Sequence, residues 1–363
     1  MTERWSADRA WDWYNHQPWL RGCNFMGSDC CNRIDQWQEL GFEERLVTAD
    51  RELALAAATG FNCIRLILQF EVWDQEHDGF MDRLDRYLAT AAKHGITAMI
   101  CFGNDCTVPK DDNYAAPKLG PQTVDWGYHG GRKNSPHDTR SAVGYSILDD
   151  PVCARRFYRM VEEVITVYAQ DDRVVVWDLF NEPGNGNRGN KSLPYLLRFF
   201  EIAREINPQQ PLTTGVWRVS GSNVIPEIEQ AALDLSDVVS YHNYLSYDAN
   251  ILLLERLKGY GRPLFNTEWL HRIYHNNIDT LFPLFYLERV SCFNWGFVAG
   301  KYQTYEPWET VWRRHEAGEA QDVDFTKWQH DLFRPSLRPY DPKEIEIIRR
   351  YCTLADERDG RKE

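Results

Sequence analysis

Apolar positions along this chain fall into two alternating kinds of run. Short, β-branched apolar runs recur, and longer stretches with helical periodicity lie between them. The short runs, read as strands, are LRGCN (20–24), NCIRLIL (62–68), TAMICF (97–102), VVVWDLF (174–180), LTTGVW (212–217), VVSYHNY (238–244), PLFNTEW (263–269) and SCFNWGF (291–297). The longer runs, read as helices, cover 50–59, 81–95, 150–170, 192–208, 249–261, 278–290 and 341–351. Local chemistry marks several ends: Asp150 and Pro151 open one helix, and Gly95 stops another.

Eight strands alternating with helices predict an α/β fold, a (β/α)8 TIM barrel formed as a single domain over 1–363. An open doubly wound sheet would carry a Gly-rich phosphate loop after its first strand, and RGCNFMGSDC is not GxGxxG. Two connections are too long for turns: 103–149 after strand three and 298–340 after strand eight. In a barrel both rise from the C-terminal rim, where active sites form. They carry Trp126, Tyr128, His129, Trp308, Trp312 and Trp328, and are expected to wall the site.

Composition narrows the function classes. A hydrophobic fraction of 43% over 363 residues supports a full core. A net charge of −13 argues against a nucleic-acid partner. No apolar run is long enough to span a membrane, and the first residues lack a signal-peptide core, so a cytoplasmic protein is expected. The nine Cys show no paired CxxC spacing, and several lie in strand-like runs, so they read as reduced, buried thiols. Fourteen Trp, 18 Tyr and 17 Phe suit stacking on sugar rings as well as core packing.

The residues closing the strands are sorted, as a shared pocket requires. Strand two supplies Arg65 and strand four Asn181 and Glu182. Strand six supplies His242 and Tyr244, strand seven Glu268, and strand eight Trp295. Cleaving a glycosidic bond requires one neutral carboxyl group to protonate the leaving oxygen and one ionised group to meet the cationic sugar carbon. In retaining enzymes the two groups lie roughly 5–5.5 Å apart. Each residue also has a structural reading: Glu182 as a loop carboxylate, His242 and Trp295 as core, and Glu268 as a buried ion-pair partner for Arg65.

NEP at the end of strand four and TEW at the end of strand seven resemble the clan GH-A glycoside hydrolases, most closely family 5, the cellulase and mannanase family. RGCN, IRL, HNY and NWGF extend that resemblance over nearly the whole chain. It implies a (β/α)8 barrel and retaining chemistry, with Glu182 as acid/base and Glu268 as nucleophile. It further implies that Asn181 holds the sugar 2-hydroxyl and that Arg65 and Tyr244 hydrogen-bond the nucleophile. His242 would orient the acid/base, and Trp295 would floor the sugar site. Many family members carry a His at the end of strand three; here Asn104 and Asp105 stand there, with Asn104 the candidate polar contact to sugar.

Trp217 and Trp269 are further substrate-binding candidates, with core packing as the competing reading. His271 and His275 have the i, i+4 spacing of a metal pair but lack the HExxH glutamate, so neither metal nor other cofactor is expected. The resulting expectation is a retaining β-glycosidase that takes oligosaccharides and acts from a chain end. An endo-acting β-mannanase or β-glucanase, a non-catalytic carbohydrate-binding barrel and a metal-dependent sugar isomerase are the alternatives. Sugar, linkage and oligomeric state stay open.

Overall fold

A computed structural model describes residues 3–106, 117–124, 143–219, 224–320 and 323–360. The expected wall residues Trp126, Tyr128 and His129 lie outside the described residues. Eight strands form: β1 Arg21–Asn24, β2 Cys63–Ile67, β3 Thr97–Asn104, β4 Val174–Asn181, β5 Leu212–Gly215, β6 Val239–His242, β7 Leu264–Trp269 and β8 Ser291–Asn294. Their order is β5-β4-β3-β2-β1-β8-β7-β6, with parallel pairing throughout. A parallel bridge between Val216 and Tyr241 joins β5 to β6 and closes the ring. This is the (β/α)8 barrel that the alternating runs predict.

Strand alternation sorts side chains between two environments. Outward positions such as Ile64, Leu66, Ile100, Phe102, Trp177 and Leu179 meet the surrounding helices in the main core. Inward positions Cys63, Met99, Val176, Phe265 and Phe293 fill the lower barrel. The helix Ala7–Asn15 closes that end: Trp13 stacks on Phe265, and Tyr14 meets the same ring edge-on. Among the described residues, the plugged floor leaves the C-terminal ends of the strands as the place for a site.

Helix boundaries follow local chemistry. Asp150 caps Pro151–Tyr168 by accepting from Val152 N and Cys153 N. The helix read at 50–59 is longer, Phe42–Thr59, beginning after Gly41, which takes a left-handed φ of 76°. Glu227–Leu235 completes the β5–β6 crossover, and Glu309–Glu316 lies inside the long connection after β8. Seven of the nine Cys are buried thiols, while Cys106 and Cys153 are half-buried. No described helix is long and apolar enough to cross a membrane.

Candidate active site

Arg65 organises the barrel mouth. Its side chain on β2 is fully buried, so its charge requires buried partners. It donates to Asp178 on β4 at 2.9 and 2.6 Å, to Asn181 at 2.6 Å, to Asn24 on β1 at 2.8 Å and to Glu268 on β7 at 2.9 Å. Burial pulls the guanidinium pKa down, but Asp178 and Glu268 more than reverse this and keep it charged.

Glu268 stands at the top of β7. The register between β6 and β7 shifts between Tyr241 and His242, so that His242 pairs with Glu268. Such irregularities re-aim side chains near strand ends. Besides Arg65, Glu268 accepts from the Tyr244 hydroxyl at 2.8 Å. Burial raises its pKa and the charge of Glu182 adds to this, while His242, Arg65 and Tyr244 pull the other way.

Glu182 directly follows β4 with a left-handed φ of 48°, a conformation uncommon outside glycine. Its Oε1 lies 2.6 Å from His242 Nδ1, and its Oε2 accepts from Asn185 Nδ2 at 2.5 Å. Burial pushes His242 down to about 4, leaving a neutral ring near pH 7. A neutral imidazole donates to a carboxylate or accepts from a carboxylic acid, so either state of Glu182 fits. The ring packs over Gly215 at the end of β5, where a Cβ would stand 2.6 Å from Nε2.

A carboxylate oxygen from Glu182, one from Glu268 and a His242 ring nitrogen all lie within 4.8 Å of one another. That spacing suits a metal ion as well as paired acid/base chemistry. Arg65 already bonds Glu268, however, and a metal would crowd a second cation onto the same carboxylate. The two carboxylates differ in their partners: Glu268 is bound by a guanidinium and a phenol, Glu182 by an imidazole and an amide. Such asymmetry is what drives the protonation states of a pair apart.

Trp295 is buried beside Ile67 and Cys101, with Tyr244 and Tyr302 packed against them. It faces a pocket lined also by Asn24, Arg33, Gln36, Arg65 and Tyr302. The pocket therefore adjoins the carboxylates through Arg65 and Trp295. Trp308, from the connection after β8, meets the Tyr244 ring edge-on at 5.1 Å. In the same connection Trp312 stacks on Phe325, and Trp328 stacks on Tyr340.

The structure thus gathers Arg65, Asn104, Asn181, Glu182, His242, Tyr244, Glu268 and Trp295 at one mouth. Asn181 is wholly buried; its Nδ2 donates to Asn104 Oδ1 at 2.9 Å and to Cys106 Sγ at 3.3 Å. To meet a sugar hydroxyl, its amide must release one of these partners. Trp217 is half-buried beyond β5, beneath the Arg218 guanidinium. Trp269 is a correction: one position past Glu268, it points outward, is 1% exposed and stacks on Phe282 behind the barrel. His271 and His275 do not share a helix face; they flank a 3-10 turn, Arg272–Tyr274, and the His271 ring stacks on Tyr274.

Asp178, Asn24, Asn185 and Cys106 are part of the site without having been singled out from the sequence. Asp178 had a usable signal, since a carboxylate inside VVVWDLF needs a buried cation as surely as Arg65 needs an anion. Asn24 ends β1 within RGCN, but nothing local marks it as a partner of Arg65. Asn185 and Cys106 sit in turns whose path only the folded chain defines.

A family model described as Cellulase (glycosyl hydrolase family 5) matches residues 22–281. No curated protein matches in sequence. Among solved structures, an exo-β-1,4-mannosidase from Opitutaceae bacterium strain TAV5 aligns with TM-score 0.58 at 14% identity, covering 94% of this chain and 60% of that one. A GH5_18 protein from Streptomyces cattleya in complex with Manβ1-4GlcNAc aligns with TM-score 0.60 at 13% identity, covering 92% and 81%. An endo-β-1,4-mannanase from Thermotoga petrophila aligns with TM-score 0.54 at 13% identity, covering 93% and 76%.

Proposed function

The chain belongs to glycosyl hydrolase family 5, the cellulase family, and is a retaining glycoside hydrolase; we propose that it removes sugars from one end of β-linked oligosaccharides, with Glu182 as acid/base and Glu268 as nucleophile. One observation carries the assignment of roles. The two carboxylates approach within 4.8 Å, on the close side of the spacing that separates retaining from inverting chemistry, and Arg65 holds Glu268 as an ion pair.

In the first displacement a Glu268 oxygen attacks the anomeric carbon, and a C–O ester bond forms as the glycosidic C–O bond breaks. Glu182 gives its proton to the departing oxygen. In the second, Glu182 takes a proton from water, whose oxygen attacks the same carbon and returns Glu268 as a carboxylate. Two inversions give net retention. Arg65 and Tyr244 hold Glu268 in the ionised form that the first step needs. His242 stays hydrogen-bonded to Glu182 through both of its protonation states.

Action at a chain end is supported by the pocket beside Trp295, walled by residues that follow β1 and β8. Oligosaccharides labelled at the reducing end test it. Loss of one sugar at a time is expected, whereas fragments from mid-chain would mark endo action. Nitrophenyl β-mannoside, glucoside, xyloside and galactoside identify the sugar, and proton NMR of the first product tests retention. Glu268→Gln is expected to release no product above background, and full activity in that variant would overturn the nucleophile assignment.

A further inference from the structure

Glu182 opens a loop with unusual backbone demands. Within eight residues Glu182, Gly184, Gly186, Asn187 and Gly189 all take positive φ, at 48°, 83°, 62°, 58° and 51°. Two of these carry side chains, and such conformations persist only where the surroundings over-determine them. The loop closes on itself through Gly189 N donating to Gly184 O at 3.0 Å and Asn185 N donating to Glu182 O at 3.1 Å. That last turn places Asn185 against the Glu182 carboxylate.

Two buried charges brace this turn from outside. Asp105, just past β3, is 0% exposed and accepts from Gly184 N at 2.8 Å. Its other oxygen stands 3.2 Å from Arg188 Nε. Arg188, at the far end of the loop and also buried, donates to Ser192 Oγ, to Gly144 O and, through both terminal nitrogens, to Asp149. The brace runs from β3 through the loop to the start of the helix Pro151–Tyr168. Burying two charges is costly, and positioning the turn is a purpose that offsets the cost.

We propose that the buried Asp105–Arg188 pair is the positioning element of the acid/base, fixing the strained turn so that Asn185 and His242 hold Glu182 toward the leaving oxygen. The proposal rests on the assignment of Glu182 as acid/base. It makes a specific claim: the pair matters to proton delivery and little to the attack by Glu268.

Leaving groups separate the two. Phenyl β-mannoside needs a proton on departure and 2,4-dinitrophenyl β-mannoside does not; the glucosides replace them if glucose is the preferred sugar. Glu182→Gln is the reference, expected to lower kcat/KM on the phenyl substrate about hundredfold and on the dinitrophenyl substrate by less than about fivefold. Asp105→Asn, which keeps the shape and removes the charge, is expected to show the same selectivity at about tenfold against less than about threefold. Arg188→Lys keeps a cation but loses the planar fork, and decides the matter if Asp105→Asn does not fold. Equal losses on both substrates, or no loss on either, would overturn the proposal. If Glu182→Gln itself fails to discriminate between leaving groups, the acid/base assignment falls instead.

Discussion

Tyr244, half-buried, donates its hydroxyl hydrogen bond to the buried Glu268 at 2.8 Å. A hydrogen bond to the ionised carboxylate favours that form and lowers its pKa, against the upward push of burial. Glu268 acts ionised, so activity falls as pH drops through its pKa. Tyr244→Phe removes the opposing contact and is expected to move the acid limb of kcat/KM to higher pH. At the optimum the rate should fall about tenfold, the order expected for losing about 1.5 kcal/mol of charge-assisted hydrogen bonding. An unmoved acid limb would separate Tyr244 from the nucleophile.

Gly215 gives His242 its seat. A Cβ there would stand 2.6 Å from Nε2, and the ring would have to leave Glu182 to avoid it. Gly215→Ala is expected to destabilise the fold by about 1–3 kcal/mol and to cost activity beyond the unfolded fraction. Thermal melting alongside kcat measures both.

Asp178 is the buried anion that lets Arg65 remain charged where it is. Asp178→Asn leaves the guanidinium with Glu268 alone as a charged partner. A loss of about 3 kcal/mol in chemical denaturation is expected, as for other broken buried pairs. A change below about 1 kcal/mol would show that Glu268 alone suffices.

His271 offers a pH test of stability. Burial pushes its pKa down to about 3 from an ordinary 6.5. Between those values the unfolded chain binds a proton that the fold does not, so stability drops as pH falls from 6.5 toward 3. His271→Phe keeps the stack on Tyr274 and removes that proton. Relative to the variant, the parent should lose about 1.6 kcal/mol between pH 6.5, where the unfolded imidazole is already half protonated, and pH 5. Buried Glu52 and Asp331, raised to about 7, contribute with the opposite sign in both proteins and cancel from the difference.

Activity should survive exhaustive chelation. Glu182, His242 and Glu268 lie close enough for a metal, but each already has a protein partner and Arg65 supplies the positive charge. Loss of activity on chelation, restored by a divalent cation, would replace this account with a metal-assisted one.

All eight strands are legible in the sequence because parallel strands buried on both faces read as apolar runs. Short helices are not: Arg33–Trp37, Phe70–Gln75 and Glu227–Leu235 span too few turns for periodicity to show. At the site, residues at strand ends were readable from counting strands. Trp269 lies outward because register shifts along β7 bring Glu268 to the inward face, and the next position then takes the opposite one, which no sequence pattern marks. Asn185 and Asp105 act through a loop whose positive φ angles no composition announces.

Arg65 bonds side chains on β1, β4 and β7 from its own place on β2. Half the strands of the ring thus share one knot, and no arc containing it can fray without stranding a buried charge. Amide hydrogens flanking that knot should exchange with solvent only when the whole barrel unfolds, while the turn after Glu182 exchanges through smaller openings. The nucleophile is then a member of the molecule's most cooperative cluster, while the acid/base opens the turn beside it.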